Sequence, residues 1–245
     1  MQVVSEVVSE FFSRSEALLG AETMKRLAEA RVLVVGVGGV GSWCAEALVR
    51  TGLGHITLVD DDVVAESNVN RQCPATAATV GRAKVEAMAE RLRAINPDCE
   101  VEARNSRFSS AASISSLSSF DLIIDAIDSV DCKAELILGA TAAGVPIVSS
   151  MGAALRIDPT KVKVTRFEKV EGDGLARALR QRFKKIGRFP KGTFNCVWSG
   201  EAPVTAPVAE TATVRPKGSL MQVTAVFGMC LASEAIKILT KGEAR

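Results

Sequence analysis

Five short β-branched runs alternate with helix-forming segments across residues 31–149; a glycine cluster follows the first run and an aspartate closes the second. These three observations predict an α/β fold: a Rossmann-like, doubly wound, mainly parallel sheet. Antiparallel strands added at one edge and a C-terminal helix complete the expectation.

Residues 1–30 read as an N-terminal helical arm. Its helix runs over 13–30, with Leu18, Leu19, Met24 and Leu27 on an apolar face. Residues 31–36, RVLVVG, form a strand buried on both faces. A helix follows at 40–51, then a second strand at 55–60, HITLVD. A polar loop carries Asp61, Asp62, Ser67, Asn68, Asn70 and Arg71. The next helix, 80–95, is stopped by Asn96-Pro97. A third strand is expected at 99–104, then a serine-rich loop with a short helix to 119. The fourth strand is 120–127, a helix spans 129–143, and the fifth strand is 145–149. Alternating residues within 153–168 predict antiparallel edge strands. A helix covers 173–187. Residues 188–218, rich in Gly, Pro, Thr and Ala, read as one long mobile loop. Residues 219–240 are an apolar helix. One domain of 245 residues is expected.

Composition narrows the function classes. At 47% hydrophobic residues, the chain can bury a large core and is not globally disordered. No uninterrupted apolar run reaches the roughly 20 residues a bilayer needs, and MQVVSEVVSEFF lacks a basic signal-peptide start. A cytoplasmic protein with no membrane association is expected. The six cysteines form no C-x-x-C pair, which argues against a Cys₄ zinc site. The single histidine, His55, cannot build a His-rich metal site and is expected to cap a turn. Net charge is only +2, yet residues 177–191 hold seven Lys and Arg and no acid. That stretch suits a polyanion or a solvated helix face.

Gly36, Gly38 and Gly41 fit G-x-G-x-x-G between a strand and a helix. Glycine lets backbone N–H groups approach phosphate, and the helix N-terminus after Gly39 adds partial positive charge. Asp60 closes the second strand, where an acid accepts ribose hydroxyls. These features suit a dehydrogenase as well as an ATP enzyme. Arg71, Lys84 and Asp128 separate the two. An arginine clamp, a compact ammonium and a carboxylate able to hold Mg²⁺ serve a triphosphate better than a dinucleotide. Trp43 is expected in the core. Trp198, read as a loop residue, is open as a stacking platform, and Cys73 reads as a loop thiol.

The segments VLVVGVGGVGS, ITLVDDDVV, SNVNRQ, TVGRAKVEAMAERLRAINP and DAIDS together resemble the ubiquitin-activating-enzyme-like adenylating superfamily. The resemblance spans most of residues 14–160. It implies ATP and Mg²⁺ as ligands and activation of a carboxylate as an acyl adenylate. Residue by residue, Gly36, Gly38, Gly39 and Gly41 would cradle the phosphates. Asp60 would hold the ribose with Asp62 beside it. Asn68, Arg71 and Lys84 would contact the phosphates, and Asp128 would bind the metal. Arg14 matches an arginine that reaches the neighbouring subunit's triphosphate, which implies a homodimer. Within the superfamily the nearest resemblance is to its tRNA-modifying branch. The absent zinc cysteines count against the branches that activate ubiquitin-like or sulfur-carrier proteins, which remain the alternative. A tRNA substrate would give Arg180, Arg182, Lys184 and Lys185 phosphate contacts. Cys196 matches a cysteine of the superfamily's flexible loop. A monovalent cation and a sulfur-transfer protein partner stay open.

Overall fold

The structure is a computed structural model and describes residues 10–108, 116–204 and 217–241. Its helices are α1 (Ser13–Leu19), α2 (Ala21–Glu29), α3 (Gly41–Thr51), α4 (Lys84–Ile95), α5 (Val130–Ala143), α6 (Gly174–Ile186) and α7 (Met221–Thr240). Its strands are β1 (Arg31–Val35), β2 (His55–Asp60), β3 (Glu100–Asn105), β4 (Leu122–Asp125), β5 (Ile147–Ser150), β6 (Val162–Arg166) and β7 (Asn195–Ser199). They form one sheet in the order β3-β2-β1-β4-β5-β7-β6. Only β6 runs antiparallel, against β7.

The period of two in β1 explains the three layers. Val32 and Val34 face one core with Cys44 and Leu48 of α3, Met88 of α4 and Phe227 of α7. Leu33 and Val35 face the other with Ile137 of α5 and Leu179 and Phe183 of α6. Each fully buried large apolar side chain contributes roughly 1.5–3 kcal/mol. A sheet covered on both faces therefore needs the continuous Val-Leu-Val-Val run seen in β1. Reversal of strand order beside β1, with β2 on one side and β4 on the other, opens a crevice at the carboxyl ends of these strands.

Several expectations are corrected. The helical arm is two helices, broken at Gly20, whose φ of +81° is a backbone conformation that glycine adopts without strain. The helix expected over 80–95 begins only at Lys84, because Val63 and Ala83 form a bridge first. The fourth strand ends at Asp125, so Asp128 lies in the following loop. The segment 153–168 supplies one antiparallel strand.

The long loop at 188–218 is interrupted by β7, which is parallel to β5 and has a buried Cys-Val-Trp-Ser core. The apolar, β-branched and aromatic content of 196–198 outweighed the flanking Gly and Pro. Residues 205–216 of that segment lie outside the described residues. Helix α7 is long and apolar enough to cross a membrane, the one such helix among the described residues. Only Glu234 and Lys237 interrupt it, and here it packs into the core through Val223, Phe227, Leu231 and Ala235.

Candidate active site

A cleft of about 800 Å³ opens at the carboxyl ends of β1, β2, β4 and β5. A smaller depression of about 400 Å³ at the far ends of β1–β3, around His55 and Glu100, includes none of the expected site residues. His55 sits at the start of β2 with Nδ1 3.0 Å from Glu100 Oε2; it does not cap a turn.

The floor of the cleft is the turn from β1 to α3. Gly36 has φ +93°, and a Cβ there would lie 2.6 Å from the Ala126 carbonyl oxygen. A Cβ on Gly41 would lie 1.8 Å from the Gly36 carbonyl oxygen. These two glycines close the turn. Gly38 and Gly39 line the cleft along with Gly36, and the nearest atom to a Cβ on Gly38 is Gln72 Nε2 at 3.9 Å. Open backbone is therefore presented where an anion approaches a helix N-terminus.

Asp60 ties the second strand to this turn. Its Oδ2 accepts the Val37 N–H at 2.7 Å and its Oδ1 accepts the Asp62 N–H at 2.9 Å. Burial pushes the Asp60 carboxyl up from its ordinary value, and the two N–H donors oppose that shift. Lys84 is placed by the Val63–Ala83 bridge and by its own N–H donating to the Asp62 carbonyl at 3.0 Å. Its Nζ then meets Asp62 Oδ2 at 2.7 Å; the lysine side chain is 7% exposed and the aspartate 66%. The carboxylates of Asp60, Asp61 and Asp62 cluster within 4.8 Å, but Asp60 and Asp62 are already engaged as described.

Arg71 lines the cleft, with Nη1 donating to the Ser67 carbonyl and to Asn70 Oδ1, each at 2.8 Å. Helix α3 holds the backbone behind it. Trp43 Nε1 donates to the Arg71 carbonyl at 2.9 Å, and Ser42 Oγ accepts the Cys73 N–H at 3.1 Å. Trp43 thus does more than fill the core. Its signal in the sequence was position alone: two residues past the last glycine of the loop.

Asp128 is exposed, lines the cleft, and makes no hydrogen bond or ion pair with any described residue. Its loop is anchored from beneath. Asp125 and Lys133, both fully buried, pair at 2.8 Å. Asp125 Oδ1 accepts the Ile127 N–H at 3.2 Å, Lys133 Nζ donates to the Ile127 carbonyl at 3.0 Å, and Ser149 Oγ donates to Asp125 Oδ2 at 2.6 Å.

The cleft therefore gathers Gly36, Gly38, Gly39, Asp60, Asp62, Arg71, Lys84 and Asp128. Three expected site residues stand apart. Gly41 is packed beneath the turn. Asn68 is buried outside the lining, its Oδ1 accepting the Ala65 N–H at 3.1 Å, so it shapes the loop that carries Arg71. Arg14 is exposed on α1, away from its own chain's cleft, and has no ion pair or hydrogen bond among the described residues.

The thiols are closed off. Cys196 is fully buried in β7, not in a flexible loop, and burial pushes its thiol up. Cys73 Sγ lies 2.8 Å from Glu46 Oε2, and burial raises its pKa to about 12. Neither is an available nucleophile. Trp198 is also buried, its Nε1 donating to Thr165 Oγ1 at 2.9 Å, so it is no stacking platform.

The basic helix α6 divides. Arg180 Nη2 donates to the Phe167 and Val170 carbonyls at 2.8 and 2.7 Å, and its guanidinium stacks 4.9 Å from the Phe167 ring. Arg182 pairs with Asp131 at 2.9 Å. Lys184 and Lys185 are exposed and unpaired among the described residues. Asp173, Gly174 and Leu175, at the other end of α6, line the cleft.

A doubly wound sheet with an open glycine turn, an acid on the second strand and two cations at its switch point defines a nucleotide-binding α/β protein. The chain belongs to the ThiF family, whose pattern matches residues 12–244. It is 39% identical over 264 aligned residues to the tRNA threonylcarbamoyladenosine dehydratase of Escherichia coli, covering 99% of this chain and 98% of that protein. The dehydratase of Bacillus subtilis is 40% identical over 194 residues, 79% of this chain and 76% of that one. The molybdopterin-synthase adenylyltransferase of Salmonella typhimurium is 34% identical over 218 residues, 89% and 76%. The crystal structure of the E. coli dehydratase in complex with ATP matches with a TM-score of 0.85 and 40% identity, over 97% of each chain.

Proposed function

We propose that this chain uses ATP to dehydrate threonylcarbamoyl-adenosine in tRNA. The observation that carries the reading is the cleft itself. It joins an open glycine turn, a ribose-type acid, Arg71, Lys84 and an exposed Asp128 in a chain that aligns over nearly its full length with a protein of that activity.

In this reading the carboxylate of the modified adenosine attacks the α-phosphorus of ATP. The bond to pyrophosphate breaks, and an acyl adenylate forms. The carbamoyl nitrogen then closes onto the acyl carbon and AMP leaves. Water is lost from the base and a ring is gained. The second step is intramolecular, so proximity supplies much of its rate. Arg71 and Lys84 stabilise the charge that builds on the phosphate oxygens, in a site whose donors are already placed by α3 and the Val63–Ala83 bridge. Asp60 takes the ribose hydroxyls. Lys84 changes partner, from the exposed Asp62 to phosphate.

Asp128 is a hard oxygen donor with no partner among the described residues and so suits Mg²⁺. That ion, when bound, neutralises charge on the triphosphate; the loop locked by Asp125 and Lys133 fixes the carboxylate's position. Arg14, unpaired among the described residues, acts on the cleft of a second copy in a homodimer. Lys184 and Lys185 meet the tRNA backbone, on a helix whose first turn already lines the cleft. Arg180 and Arg182 hold that helix in place.

The test is mass analysis of tRNA nucleosides after incubation with ATP and Mg²⁺. The modified adenosine should lose the mass of one water. The 34% identity to an adenylyltransferase supports a second reading, activation of a sulfur-carrier protein. Pyrophosphate exchange with the carrier but not with modified tRNA would overturn the first.

A further inference from the structure

Arg156 follows β5 and lines the same cleft. It is 5% exposed, and its Nε is buried with no hydrogen-bond partner. Its one recorded bond is a long one, Nη1 to the carbonyl of its own neighbour Leu155 at 3.4 Å. No carboxylate among the described residues pairs with it. Asp173, the buried acid on the same wall, is occupied: its oxygens accept the Gly152 N–H at 3.2 Å and the Ala176 N–H at 2.9 Å.

Other buried cations near the site are satisfied; Lys133 has Asp125 and Lys84 has Asp62. A guanidinium is always charged, so burial without a counter-charge is unfavourable unless something else supplies one. The backbone around it is also held against its preference. Leu155 has φ +61°, a rare conformation for a non-glycine residue. It is clamped by its N–H to the Gly218 carbonyl at 2.8 Å and by the Val204 N–H to its own carbonyl at 2.9 Å. Beyond it, the Ile157 and Asp158 N–H groups both donate to Glu201 Oε2 at 3.0 Å. Strain and an uncompensated charge coincide at one point on a cleft wall, as they do at ligand sites.

Topology chooses the ligand. The nucleotide is held by the turn after β1 and the end of β2. Arg156 sits after β5, on the far side of β4 from that turn, which leaves its part of the cleft to the second reactant. We infer that Arg156 binds the carboxylate of the acyl substrate through its guanidinium edge, and so orients that carboxylate toward the α-phosphorus. The inference rests on the proposed adenylating function and deepens it: an anionic acyl group is selected by charge before it reacts.

The test uses the full chain with tRNA bearing threonylcarbamoyl-adenosine, comparing wild type, Arg156→Gln and Arg156→Lys. Arg156→Gln should raise KM for the modified tRNA on the order of 10²-fold. Its ATP affinity without tRNA should be unchanged, and its Tm equal or higher, because an unpaired buried charge has been removed. Arg156→Lys should recover part of the loss and carries the same comparison if the glutamine variant fails to fold. An unchanged KM in both variants overturns the inference. ATP affinity falling in step with KM would assign Arg156 to the triphosphate and overturn it as well. A lowered Tm with unchanged KM would mark a structural arginine. Absence of turnover by the wild type would instead defeat the proposed function, a result separate from any difference among variants.

Discussion

The two walls of the cleft handle charge in different ways. On the β1–β2 wall the buried cation has a protein partner, but an exchangeable one. Lys84 is 7% exposed while its partner Asp62 is 66% exposed, so a phosphate can replace the aspartate without leaving a charge stranded. On the β4–β5 wall charges are either sealed or unpaired. Lys133 and Asp125 are both fully buried and bond to each other and to the Ile127 peptide. Arg156 has no counter-charge among the described residues. The first wall is poised to exchange partners, and the second is a fixed frame around two open charges, Asp128 and Arg156. A cleft that must hold a nucleotide and a second reactant benefits from both.

The largest expected effect breaks the sealed pair. Lys133→Met leaves Asp125 charged and buried, and should cost about 3–5 kcal/mol in urea unfolding. Asp125→Asn combined with Lys133→Met should regain most of that. If Lys133→Met unfolds at the wild-type midpoint, the sealed pair is no frame.

Removing the exchangeable cation should act on rate instead. Lys84→Ala should slow pyrophosphate exchange on the order of 10²–10³-fold, as should Asp128→Ala. Asp128→Ala should change stability by less than about 1 kcal/mol, and Lys84→Ala by less than Lys133→Met, since Asp128 and Asp62 face water. A large stability loss in Lys84→Ala would erase the contrast between the walls.

The acid limb of stability sharpens the first wall further. Glu46 lies under the Arg71 loop. Burial raises its carboxyl, but bonds from Arg91, Cys73 and Arg50 outweigh this and lower it to about 2 from 4.5. A depressed acid contributes stability that is complete above its unfolded value and lost as pH falls through its folded one. Stability should therefore drop between about pH 4.5 and pH 2, by at most about 3 kcal/mol from this group. Glu46→Gln should flatten that limb in pH-dependent denaturation.

The smallest effect concerns α6. Neutralising Lys184 and Lys185 should reduce the salt slope of tRNA binding by about one to two. Neutralising Arg180 should lower Tm instead, because its donors cap backbone carbonyls. Equal slopes for the lysine double variant and wild type would remove α6 from the tRNA surface.

The alternation of strands and helices up to β5, and the glycine turn, were legible because period and turn chemistry are local. β7 was missed: its four buried residues sit between Gly-rich and Pro-rich flanks, and pairing with β5 and β6 is what makes them a strand. Asn68, expected to contact phosphate, lies outside the cleft lining with its Oδ1 on the Ala65 N–H, because a side chain's direction is not written in its spacing. Arg180 and Arg182 read as free charge and are spent on carbonyls and Asp131. Arg156 gave no signal, since one arginine among many is ordinary until its surroundings lack an acid.

By itself the sequence determined the sheet's first five strands, the phosphate-binding turn and the residue types that could serve a triphosphate. Those follow from backbone sterics, hydrophobic period and side-chain chemistry, which neighbours in the chain decide. Only the tertiary structure decided which of those side chains meet in one cleft, which charges are already paired and which thiols are buried. Burial and pairing depend on residues distant in the chain; for Asp125 and Lys133, Lys84 and Asp62, and the solitary Arg156, they set whether a charge is frame, exchangeable ligand or open site.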